Sequence, residues 1–150
     1  MSTYTEDFMV WSEHQAALLR RMAAGEAVNE SPDWPNIIEE IESLGRSERH
    51  ALGRQISRVL EHLIALAASP ATDPHRGWKL TIINAQAEMR KLLRDNPSLR
   101  RELPNLIADE LSSTRKLVRQ KMALYDETPT VDLEALSFSE AQVLGDDEQP

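Results

Sequence analysis

The side chains in this 150-residue chain best suited to binding a metal or moving a proton are four histidines, His14, His50, His62 and His75. None has a glutamate or second histidine three or four residues away, the spacing that puts two ligands on one helical face. Ser47 and His50 stand three apart, yet a serine in mid-helix is a poor nucleophile position and no acid is placed to orient the histidine. The chain has no cysteine, which excludes disulfides, thiolate metal sites and cysteine nucleophiles. It also lacks a glycine-rich loop to cradle phosphate. No catalytic residue, metal ligand or cofactor is assigned, and the reading leans away from an enzyme.

Two polar patterns carry more. Arg46, His50, Arg54 and Arg58 recur every four residues, a basic stripe drifting along one helical flank. Such a stripe can meet phosphates, but no aromatic is interleaved and acids elsewhere in the chain compete for it. A solvated or internally paired face is preferred, and nucleic acid ranks last among partners. Separately, Ile41, Glu48, Gln55 and His62 are spaced by sevens, which keeps three polar side chains near an apolar seam. With Gln86 and Arg90 of a later helix they form a candidate polar seam. It is either a satisfied network that fixes helix register or a ligand pocket between helices. Counting outward from the turn at Ala68 to Asp73 pairs Glu48 with Arg90, an expected buried ion pair.

The elements that must position these groups are helical. Leu, Ala and Glu are frequent and aromatics few, which favours helix over sheet. Ile37, Ile41, Leu44, Leu52, Ile56, Val59, Leu63 and Leu66 form one stripe, predicting a single long helix from about Asp33 to Ala67, through Gly45 and Gly53. Those glycines imply a close helix approach or a bend. A first helix is expected over Thr5 to Ala24, closed by Gly25 and with Gln15 interrupting its apolar face. The third runs from an Asp73 cap to about Arg94, and the fourth from Asn96-Pro97-Ser98 to about Tyr125, restarting near Pro104. Trp78, Ile82, Met89 and Leu93 are the seam of the third helix. The expected fold is all-α: a helical bundle of four main helices, one long and central, over residues 1–125, with a short acidic C-terminal segment over 126–150.

Charge is segregated. Residues 1–45 carry two basic and nine acidic groups, 46–125 fifteen and eight, and 126–150 none and eight. The last segment mixes acids with Val131, Leu133, Leu136, Phe138, Val143 and Leu144. Ser137 is placed to cap one short helix there, and Gly145 to Pro150 are expected to fray. No apolar run is long enough to cross a membrane and the start lacks a signal-peptide pattern, so a cytoplasmic protein is expected.

Tyr4, Asp7 and Trp11, followed by Glu39-Glu40-Ile41-Glu42-Ser43-Leu44-Gly45-Arg46-Ser47-Glu48, resemble the bacterial domain-of-unknown-function family 29. Leu60-Glu61-His62-Leu63, Trp78-Lys79-Leu80-Thr81-Ile82 and Asn96-Pro97-Ser98-Leu99 follow in that family's order. The resemblance implies a small all-helical protein of bacterial origin, suspected to act as an antitoxin component, with no catalytic residues to carry over. Ser139 to Leu144 resembles the family's C-terminal end, whereas Gly145 to Pro150 replaces its hydrophobic finish.

The expectation is therefore a non-enzymatic protein–protein interaction module, antitoxin-like by resemblance, whose acidic segment wraps a basic protein partner. No membrane is involved and a homo-oligomer stays open. The alternative is a small-ligand binder or enzyme using a polar pocket around Glu48, His62 and Arg90.

Overall fold

Caps and breakers set the helix ends. In the computed structural model, which describes residues 3–146, the elements follow the expected order with shifts of a few residues. Helix α1 spans Phe8–Ala23, three residues inside the expected start, because the Asp7 carboxylate accepts from Val10 N–H at 3.0 Å and stops the helix there. Gly25 closes the turn at φ +80°. Helix α2 spans Trp34–Ala68 without a break, and α3 spans His75–Asp95. Pro74, not Asp73, takes the cap position of α3, with no side-chain bond. A 3-10 turn over Pro97–Glu102 leads into α4, Leu103–Leu124, where Pro104 sits in the first turn and its missing N–H is not needed. No strand occurs among the described residues. The protein is all-α, with four main helices and one long central helix.

The chain divides into two compact units, residues 1–47 and 48–150. In the first, α1 buries Trp11, Gln15 and Leu18, and the start of α2 buries Ile37. In the second, Leu52, Ile56, Val59 and Leu60 of α2 form one core with Ile82, Met89 and Leu93 of α3 and with Leu99, Leu103 and Ile107. Ile64, Ala68, Val118, Met122 and Leu133 form a smaller cluster. The α2 stripe is thus only partly buried: Ile41 and Leu44 are 64% and 69% exposed. Gly45 has open space where a Cβ would stand, which removes a close approach as the reason for that glycine, whereas a Cβ at Gly53 would meet Glu110 Oε1 at 3.3 Å.

The acidic segment after Asp126 is not outside the core. Thr130 N–H donates to the Ala68 carbonyl at 2.7 Å, tying the segment to the end of α2. Leu133, in a 3-10 turn over Leu133–Ala135, is buried. Helix α5, Glu140–Leu144, places Val143 and Leu144 in the main core. Its cap is Ser139 rather than Ser137, in a capping box with Gln142, and Gly145 ends it at φ +77°. Of the residues expected to fray, Gly145 and Asp146 complete this cap, with Asp146 N–H on the Ala141 carbonyl at 2.9 Å. Residues 147–150 lie outside the described residues.

Candidate functional site

The residues of the expected polar seam do not meet as one network. Glu48 is exposed and accepts from Asn96 at 3.1 Å. This contact, far from the turn that joins α2 to α3, confirms that the two helices run antiparallel. It also places Asn96, a turn and a half beyond Arg90, level with Glu48, so the Glu48–Arg90 ion pair does not form. Arg90 instead donates to the Leu144 carbonyl at 3.2 Å, and buried Gln86 donates to the Val143 carbonyl at 3.3 Å. The last carbonyls of a helix have no partner within it, and these two α3 side chains supply one from outside. Gln86 and Arg90 are therefore a clamp for α5. Gln55 Oε1 is buried with no hydrogen-bond partner among the described residues. His62 donates from Nδ1 to the Arg58 carbonyl at 2.7 Å, because a carbonyl can only accept.

The basic stripe is also divided. In the first unit, Arg46 pairs with Glu39 at 2.6 Å and with Glu42 at 3.8 Å. In the second, His50 and Arg54 border a cleft of about 410 Å³ with Arg49, Ser57 and Glu110, while Arg58 is exposed. Arg49, which the sequence reading did not single out, makes a forked pair with Glu102 at 2.9 and 3.1 Å. Those hydrogen bonds hold the Glu102 carboxyl below its ordinary value and the Arg49 guanidinium above its own. Partial burial, and then Asp109, raise the Glu110 carboxyl.

A larger cleft of about 520 Å³ opens beside the last turns of α2 and α4. His62, Trp78 and Tyr125 line it, together with Glu61, Lys121 and Glu127 and an apolar surface from Val118 and Met122. Of the three residues proposed for a ligand pocket, His62 alone borders this cleft; Glu48 and Arg90 do not.

In the first unit, Trp11 Nε1–H donates to Asp33 at 2.9 Å, and the Asp33 N–H donates to Gln15 Oε1 at 2.7 Å. The Tyr4 hydroxyl donates to Glu40, which raises the pKa of the phenol. Tyr4 stands edge-on to Trp11 at 4.8 Å between ring centroids. Gln15, an interruption by hydropathy, is thus the acceptor that fixes how the chain enters α2. The outer side of that entry is apolar: Trp34, Ile38, Ile41 and Leu44 are all exposed, and so are Phe8, Met9 and Val10 on α1. The signal was legible in the α2 stripe, which has the spacing of a buried face without the cover.

The residues that make this first-unit cluster, Tyr4 and Trp11 with Glu40, are among those that carried the family resemblance. A family model described as a domain of unknown function, DUF29, matches residues 3–147. The chain belongs to this family. No curated protein and no solved structure matches it. In this DUF29 chain no described helix is long and apolar enough to cross a membrane, and no group of three metal-binding side chains occurs among the described residues.

Proposed function

We propose that this DUF29 protein is a protein–protein interaction module whose first unit docks a basic, amphipathic helix of a partner. The observation that carries this reading is the exposed stripe of Trp34, Ile38, Ile41 and Leu44, four large apolar side chains within three turns of one helix. Soluble proteins seldom leave such a face to water without a use for it, and helix-in-groove recognition reads apolar anchors at this spacing. Charge sets the character of the partner. Residues 1–47 hold three basic and nine acidic groups, and Glu39 and Glu42 beside the stripe share one guanidinium. The docking role moves from the C-terminal acids to this face, because the C-terminal apolar anchors other than Val131 are engaged in the core. An antitoxin component, as the resemblance implies, is one case of such a module, with a basic toxin as its partner.

The test is a titration of the full chain with a designed Lys/Leu amphipathic helix, its Glu/Leu counterpart serving as the control. The basic helix is expected to bind, more weakly at high salt, and to lose at least about tenfold in affinity when Ile38, Ile41 and Leu44 are changed together to alanine. Unchanged affinity in that variant, or equal binding of the acidic helix, overturns the reading. Self-association of the protein that the same variant abolishes replaces the foreign partner with a second copy.

A further inference from the structure

We propose that the cleft beside the last turns of α2 and α4 binds an organic ammonium group carrying an apolar body. The argument begins with charge. The cleft is lined by two carboxylates, Glu61 and Glu127, and one ammonium, Lys121. Lys121 is bonded to Glu61, which leaves Glu127 as the lining carboxylate with no cation partner among the described residues. Ser69 holds Glu127 in place, its hydroxyl donating at 3.0 Å. A cation entering the cleft completes this charge, whereas an anion is repelled by it.

The walls favour the same chemistry. Trp78 and Tyr125 both line the cleft, and the negative face of an aromatic ring attracts an ammonium group. His62 spends its Nδ1–H on the Arg58 carbonyl, so the neutral ring keeps a lone pair on Nε2. That lone pair can accept from an ammonium that still bears N–H, which separates primary amines from quaternary ones. Val118 and Met122 provide an apolar surface for an alkyl or aryl body. The volume of about 520 Å³ falls in the range of small-molecule sites. A free amine and a lysine side chain of a peptide offer the same chemistry. The site lies in the second unit and does not rest on the docking face of residues 34–44, so either reading can fail alone.

The experiment is a nuclear magnetic resonance titration of the full, isotopically labelled chain with n-butylammonium, n-butanol, butyrate and a blocked lysine amide. Saturable shifts at the Trp78 indole and the Ala65 amide are expected with butylammonium, at a Kd at least about tenfold below that of butanol. Glu127→Gln should weaken butylammonium about tenfold, while Lys121→Met should tighten it because Glu61 is released to the ligand. The gain with Lys121→Met keeps the proposal open to refutation if Glu127→Gln fails to give a dispersed spectrum. Tighter binding of the blocked lysine than of butylammonium assigns the ligand to a peptide side chain; the reverse assigns it to a free amine. Equal binding of butanol, tighter binding of butyrate, no saturable shift, or a loss on Lys121→Met overturns the proposal.

Discussion

Leu144 and Ile41 exchange the roles that periodicity assigns them, and a pair of alanine substitutions measures this. Ile41 lies in the stripe of the longest helix, yet is 64% exposed; Leu144 lies among acids near the chain end, yet is 2% exposed and packs in the main core with Val143. Replacing buried leucine by alanine costs about 2–5 kcal/mol, depending on how far the site can collapse. The bond from the Arg90 guanidinium to the Leu144 backbone carbonyl survives the change, so only packing is lost. Helix α5 has only five residues and can settle into the vacated space, which places Leu144→Ala in the lower part of that range, about 2–3 kcal/mol. With a urea slope of about 1–3 kcal/mol per molar for a small protein, the midpoint should fall by about 0.7–3 M. Ile41→Ala removes little buried area and gains helix propensity, so it should stay within about 0.5 kcal/mol of the parent or slightly above it. Equilibrium urea unfolding followed by far-ultraviolet circular dichroism reads both. The reasoning is refuted if Leu144→Ala unfolds with the parent, or if Ile41→Ala costs 2 kcal/mol or more on the scale expected for burial.

Two further tests use the glycines and one ion pair. Gly45→Ala should stabilise by about 1 kcal/mol, because the site is helical and open. Gly145→Ala should destabilise by about 1–3 kcal/mol, since φ is +77° and the new Cβ would stand 2.7 Å from Gln86 Oε1; denaturant midpoints of the two variants should move in opposite directions. The Arg49–Glu102 pair should make stability depend on pH. The folded Glu102 value lies below its ordinary 4.5, so the unfolded chain binds the proton more readily. The contribution is complete above that ordinary value and is lost as pH falls through the folded one. Glu102→Gln should therefore unfold at lower urea than the parent at neutral pH and alongside it in acid; a gap that persists in acid would sink the assignment.

Local chemistry made the helices legible. The caps, prolines and apolar spacing place α1 to α4 within a few residues because backbone satisfaction at helix ends and one-sided burial are decided by near neighbours. Gly25 and Pro104 act as their residue types require. The cover over each helical face was not legible, since a periodic stripe states that a face is apolar without stating what lies on it. Ile41 and Leu44 have the spacing of core residues and are exposed, while Val143 and Leu144 have no long periodicity and are buried. Register failed for the same reason. Glu48 and Arg90 matched in charge and approximate height, but antiparallel packing put Asn96 opposite Glu48 and brought α5 to Arg90. His62 was singled out as polar among apolar neighbours. That it borders a cleft with Trp78 and Tyr125 depended on the end of α4 returning beside α2, a long-range meeting that only the packed structure decides.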